Sequence, residues 1–282
     1  MNAFSKKPLI VALGAAAAMA SGAASAVNVS ADYLGQVLIF PYYTVNSAPG
    51  SKAFNTLFNI VNTQPIAKAV KVRFREALNS REVLDFNVFL SPSDVWTASV
   101  TPTSAGGAQI TTSDLSCTLP KFVGSQVPFR SDAYVGDGGG NAITRTAEGY
   151  IEVFEMATFP NGTATQKSVT HNQSKSPPTP VCDETNAGAL ADQKAPTGGV
   201  TGSLVLVNPQ VGGSFPVAPT VLDNFRDTAY YADTGSVLPN YSQVNPPFSF
   251  TVKGATAWLG VWTPGNDAVT AVLRSRLQIH GR

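Results

Sequence analysis

Residues 68–90 constrain this chain more than any other stretch. In KAVKVRFREA, Val70, Val72 and Phe74 alternate with Lys71, Arg73 and Arg75. A period of two marks a strand, because successive side chains point to opposite faces. Asn79-Ser80 supplies a turn. Leu84, Phe86, Val88 and Leu90 of REVLDFNVFL then form a second apolar row. Both rows must meet one core, so paired positions share parity. A loop at 78–80 sets Arg73 opposite Asp85, and a loop at 79–81 sets Arg75 there. Either is expected to be a surface ion pair of about 0–1 kcal/mol. The basic stripe is expected to be a solvated sheet face.

Other strands surround this hairpin. Leu34–Val45 is apolar and aromatic, and Pro41 inside it implies an edge or a bulge. Phe54–Asn62 follows, then the turn Ser91-Pro92-Ser93-Asp94, then Val95–Thr101 with Trp96, Ala98 and Val100 on one side. Gly149–Thr158 fits neither period, yet its Tyr, Ile, Val and Phe favour a strand. Val200–Asn208, Phe248–Val252, Ala255–Trp262 and Ala268–Ile279 continue the series. The segments LFNIVN and LVLVNP share a strand-then-Asn pattern. Short strands with frequent turns predict an all-β antiparallel sandwich with long Pro-, Gly- and Ser-rich loops. Residues 27–158 form a first β region and 159–199 a long polar surface loop. Residues 200–282 form a second β region, expected to pack with the first as one domain.

The N-terminus carries Lys6 and Lys7, an apolar run from Pro8 to Ala20, and small residues ending Ala24-Ser25-Ala26. This predicts a cleavable export signal over residues 1–26. The run falls short of the roughly 20 residues a spanning helix needs. Export places the two cysteines, Cys117 and Cys182, in an oxidising compartment and predicts a disulfide between them. Charged residues make up 13% of the chain and the net charge is +1, which offers no electrostatic case for nucleic acid or an anionic membrane. Four sequons, at Asn28, Asn161, Asn172 and Asn240, are about what chance supplies at this composition.

Catalytic chemistry is hard to place. A Ser-His pair needs a base beside the nucleophile. His171 lies in the polar loop, and His280 lies near the chain end. No G-x-S-x-G elbow, H-E-x-x-H pair, phosphate loop or dinucleotide fingerprint occurs, so no cofactor is expected. Glycoside hydrolysis needs paired carboxylates. Glu148, Glu152 and Glu155 are close in sequence, but on a strand Glu152 and Glu155 point to opposite faces. Asp223 and Asp227 sit near aromatics. Asp132, Asp137 and Asn141 form a weak calcium candidate with no EF-hand spacing. Phe215, Phe225, Tyr230, Tyr231 and Tyr241 either cover the sandwich or form a flat ligand platform.

The segments LGQVLIFPYYTVN, TLFNIVNT and AKAVKVRFREALNSREVLDFNVFLSPSDVWT resemble a family of uncharacterised exported bacterial proteins, often described as cell-surface proteins. So do GYIEVFEM, GSLVLVNP and WTPGNDAVTAVL. That resemblance implies a Gram-negative source and assigns no catalytic residue. Such proteins continue past the AVTAVL segment, whereas here RSRLQIHGR follows. The local grammar also resembles immunoglobulin-like sandwiches, a fold-level likeness that carries no function. The first expectation is a non-enzymatic surface or periplasmic protein with a structural, adhesive or assembly role, and other surface proteins or glycans as partners. The second is a carbohydrate- or ligand-binding module using the aromatics at 215–241. The third is a secreted glycosidase.

Overall fold

The computed structural model describes residues 27–47, 53–134, 136–183 and 190–245, and the backbone of 248–253 and 256–261. The expected export signal, His280 and the expected strand at 268–279 lie outside the described residues.

The strands are β1 (Asn28–Val29), β2 (Val37–Thr44), β3 (Asn55–Asn62), β4 (Ala67–Glu76), β5 (Glu82–Leu90), β6 (Val95–Pro102), β7 (Ala108–Thr111), β8 (Cys117–Leu119) and β9 (Gln126–Pro128). They continue with β10 (Glu148–Phe159), β11 (Val200–Asn208), β12 (Gly213–Val217), β13 (Thr220–Asp223), β14 (Phe248–Lys253) and β15 (Thr256–Val261). A seven-stranded sheet has the order β1-β13-β2-β10-β4-β5-β8. A six-stranded sheet has the order β12-β11-β3-β6-β7-β9, and β14-β15 form a separate hairpin. All pairings are antiparallel, and the two large sheets stack as a sandwich. The chain after residue 200 is woven into both sheets, since β11 pairs with β3 and β13 pairs with β2.

The predicted alternation builds the core. Val70, Val72 and Phe74 of β4, Phe86 and Val88 of β5, Phe58 and Ile60 of β3, and Trp96 of β6 are all buried between the sheets. Trp96 packs edge-on to Phe58 at 5.6 Å and against Phe86 at 5.5 Å. LFNIVN and LVLVNP become neighbours, as β3 and β11. Asn62, at the end of β3, turns inward and donates to the carbonyls of Ile66 and Ser91, fixing the next turn.

Pro41 sits at a bulge and not at an edge. Opposite β2, the register of β10 shifts between Gly149 and Ile151. This lets Pro41 occupy a central strand without interrupting the ladder at its missing N–H. Gly149 is required at that bulge, because a Cβ there would lie 1.9 Å from the Arg75 carbonyl oxygen.

In the β4–β5 hairpin, Arg73 lies opposite Asp85, and a register shift then brings Arg75 opposite Glu82. Ser80 takes φ +59° in the turn. Glu76 organises that turn. Its carboxylate accepts the backbone N–H groups of Leu78, Asn79 and Arg81.

Residues 159–199 are more than a surface loop. They contain a short helix, α1 (Ala164–Val169), capped by the Thr163 side chain. Val169 and Leu190 of this stretch are buried with Ala69 and Phe89 on the outer side of the seven-stranded sheet. The Cys117–Cys182 disulfide is formed and ties the stretch to β8.

Candidate functional site

The two sheets present opposite outer surfaces. On the seven-stranded sheet, the stripe of Lys71, Arg73 and Arg75 is not solvated. Lys71 and Arg73 are fully buried and Arg75 is only partly exposed. The chain after β13 crosses this face as a strap over residues 225–245. Lys71 Nζ pairs with Asp85 Oδ2 at 3.0 Å and donates to the Asp233 carbonyl at 2.7 Å. Arg73 donates to the carbonyls of Pro239 at 2.8 Å and Ser236 at 2.9 Å. Its Nε lies 3.0 Å from Glu82 Oε2 as an ion pair without hydrogen-bond alignment. Arg75 Nε donates to Glu152 Oε2 at 2.8 Å. Burial demands that each charge find a partner, and carboxylates and strap carbonyls supply them.

The aromatics at 225–241 belong to this strap. Phe225 and Tyr230 are buried with Val37 and Phe154 of the sheet, and Tyr241 packs on Phe154 at 5.2 Å. Tyr231 stacks near Phe89 at 6.1 Å, and its hydroxyl accepts from Asn87. These four rings cover the sheet and do not line an open groove. Phe215 stands apart on edge strand β12, 55% exposed and beside Phe54.

The carboxylates are dispersed. Glu148 accepts from the Tyr42 hydroxyl at 2.8 Å, and Glu152 is held by Arg75. Glu155, on the opposite face of β10, is buried against Lys68. Asp227 accepts from Asn245, and Asp223 ends β13. A cleft of about 410 Å³ beside Arg75 does hold two carboxylates, Glu82 and Asp137. Each is already gripped. Glu82 pairs with Arg73 and Arg130, and Asp137 pairs with Arg145 at 2.8 Å. The Arg145 hydrogen bond holds the Asp137 carboxyl well below the usual carboxylate range. Of the calcium candidates, Asp137 is thus occupied by a guanidinium, Asp132 lies near Arg130, and Asn141 is exposed. Among the described residues, no three His, Cys, Asp or Glu side chains cluster to hold a metal ion.

The structure gathers one group that sequence reasoning left apart. His171 Nδ1 lies 2.8 Å from Ser91 Oγ and 3.7 Å from Asp94 Oδ2. A catalytic relay needs Ser and Asp on opposite ring nitrogens. Here both approach the same one. Ser91 Oγ also lies 3.0 Å from the Val169 carbonyl and accepts the His171 backbone N–H. Asp94 accepts the Ser91 N–H across the tight turn. The cluster is a clasp joining the β5–β6 turn to the end of α1. The Ser-Pro-Ser-Asp turn was visible in the sequence, but its His partner lies 80 residues away.

The six-stranded sheet is different. Among the described residues, no segment covers its outer face. Alternation places about 18 side chains outward on β3, β6, β7, β9, β11 and β12, and none is charged. An ordinary surface carries about 25–35% Lys, Arg, Glu and Asp, so roughly four to six charges are expected there. Leu57 and Val95 are exposed large hydrophobic residues on this face, at 44% and 45%. Asn59 and Ser203 bond to each other across β3 and β11 in both directions. A shallow groove of about 630 Å³ runs along the face past Leu57, Thr97, Ser99, Thr111 and Val205. At the rim, the Asp114 carboxylate turns back to accept the backbone N–H groups of Thr97 and Ser116.

Comparison with known proteins brings no match, whether to a family model, a curated protein or a solved structure. No helix among the described residues is long and apolar enough to cross a membrane.

Proposed function

We propose that this chain is a non-enzymatic exported bacterial protein, at the cell surface or in the periplasm, with a structural, adhesive or assembly role. It works by contact through the uncharged outer face of the six-stranded sheet. The immunoglobulin-like identity of the sandwich is part of the same proposal.

One observation carries this reading: a face of six strands that holds no charge while the other sheet buries its ions under the chain's own strap. Interface centres are depleted of charge in the same way. The export signal and the Cys117–Cys182 disulfide support an oxidising location. The gripped state of Glu82 and Asp137 supports a non-enzymatic role, since glycoside hydrolysis needs one carboxyl held protonated opposite a second.

The test is fractionation of the native bacterium carrying Thr97→Lys in place of the natural chain. Thr97 is exposed on the outer side of β6, so the substitution leaves the core alone. The charged variant is expected to reach the same total level but to leave the envelope or assembled fraction. Wild-type fractionation of that variant would end the proposal.

A further inference from the structure

We infer that the occupant of the uncharged face is a second copy of this chain, docked sheet to sheet about a two-fold axis. The inference rests on the contact role proposed above and names its partner.

The edges of the sandwich make pairing by strand addition difficult. One outer strand, β12, is short and contains Pro216, and the other, β9, ends in Pro128. At the far sheet, β8 spans three residues and is followed by Pro120, and β1 spans two residues. Short strands and prolines are the usual protection against edge pairing. The broad face of the six-stranded sheet carries no such protection.

Its size suits a dimer. Six strands spaced at about 4.8 Å, with central strands of eight or nine residues rising about 3.4 Å each, make a face of about 24 by 27 Å. That is on the order of 600 Å² of flat area, close to the roughly 800 Å² per partner of a standard interface.

Its lack of charge is compatible with a copy docked on itself. A two-fold axis sets a patch against itself, so a face of one net sign would meet its own sign. A neutral face meets no repulsion. An anionic or cationic partner would gain nothing from it. Leu57 and Val95 rise from the face, and the groove beside Ser99 and Thr111 can receive such side chains from the opposite copy. Stacked sheets packing through Val, Leu, Thr and Asn repeat the geometry the protein uses between its own sheets, without the aromatics.

The experiment uses the full chain, exported with its own N-terminus into an oxidising periplasm and purified from there. Sedimentation equilibrium over about 1–200 µM covers the range of a weak dimer. The unaltered chain is expected to show a two-chain species. Leu57→Lys and Thr97→Lys are each expected to weaken it at least about tenfold, because each buries two like charges. Val237→Lys, on the exposed strap over the other sheet, is the control and is expected to leave the dimer unchanged. Hydroxyl-radical labelling of the unaltered chain needs no variant, and it is expected to rise at Leu57, Val95 and Val205 on dilution. A monomer throughout this range, or a dimer indifferent to both lysines, overturns the inference. So does a monomer whose envelope fractionation still depends on Thr97, and in that case the contact role stands with a different partner.

Discussion

Lys68 Nζ lies 2.6 Å from Glu155 Oε1, and neither side chain reaches solvent. Lys68 also donates to Thr197 Oγ1 at 2.8 Å and to Gln64 Oε1 at 3.0 Å. Glu155 accepts the N–H groups of Thr197 and Gly198. Burial pushes the lysine down and the carboxyl up, and their contact opposes both shifts. The pair therefore rivets β4 to β10 and to the segment entering β11. Removing one partner leaves an uncompensated charge, which costs about 3–5 kcal/mol. Glu155→Gln is expected to lose that much in urea unfolding. The double variant Lys68→Met/Glu155→Gln keeps an acceptor for the Thr197 and Gly198 N–H groups and is expected to recover most of it. A double variant as unstable as the single one would show that the strands need the ions themselves.

Arg73 is the anchor of the strap. Its planar guanidinium reaches three strap carbonyls, those of Pro239, Ser236 and Leu238, and also faces Glu82. A lysine there keeps the charge but cannot reproduce the fork. Arg73→Lys is expected to leave the sandwich folded and to free the strap. Limited proteolysis within residues 233–239 should then run about tenfold faster, since cleavage follows the open population. Unchanged cleavage would place the hold in the aromatic contacts alone.

The Arg73 example also shows where the sequence stops being legible. Alternation in KAVKVRFREA located β4, its core row and its partner strand. It reports that two faces differ, and not that one of them is wet. The partners that bury the stripe come from far along the chain, with the strap carbonyls 162 to 166 residues from Lys71 and Arg73. Gly149–Thr158 fitted no period for the same reason. Strand β10 is covered on both faces, and its register slips again between Glu155 and Ala157. The aromatics at 225–241 marked the strap, but the surface they would cover was not readable. The uncharged face was open to inspection: TLFNIVN, WTASVT and GSLVLVN alternate apolar residues with Asn, Ser and Thr, never with Lys or Glu. Sequence motifs mark chemistry-bearing residues, and this face is defined by having none.

The disulfide closes a loop of sequence separation 65 between β8 and the stretch that follows α1. In the chain-entropy model this adds about 4 kcal/mol by restricting the unfolded chain. Cys117→Ala/Cys182→Ala is expected to lose close to that amount in urea unfolding. Its folded sandwich should be retained, because neither cysteine belongs to the central core between the sheets. Reductant should shift the unaltered chain to the same midpoint. A loss well below this would mean that the reduced, unfolded chain stays compact around the same contacts.

Acid should loosen the Arg145 cluster. Arg145 grips Asp137 with both terminal nitrogens, at 3.0 and 2.8 Å, and lies 3.0 Å from Glu76. Its guanidinium also sits 4.0 Å above the Tyr134 ring. The Arg145 hydrogen bond holds Asp137 well below its ordinary 3.8. Burial pushes Glu76 up, but the Arg81 N–H, Arg145 and the turn N–H groups outweigh it, and its carboxyl also lies below the ordinary 4.5. A lowered carboxyl contributes stability that is full above its unfolded value and lost as pH falls toward its folded value. The unfolding midpoint is therefore expected to drop between about pH 5 and pH 2. Asp137→Asn removes one of the two contributors. Its midpoint should be lower at neutral pH, fall less steeply with acid, and approach that of the unaltered chain at the acid end. Thermal unfolding followed by circular dichroism across that range measures it. Parallel curves would mean that Asp137 gains nothing from Arg145 on folding, and that the cluster is held by Glu76 and its turn alone.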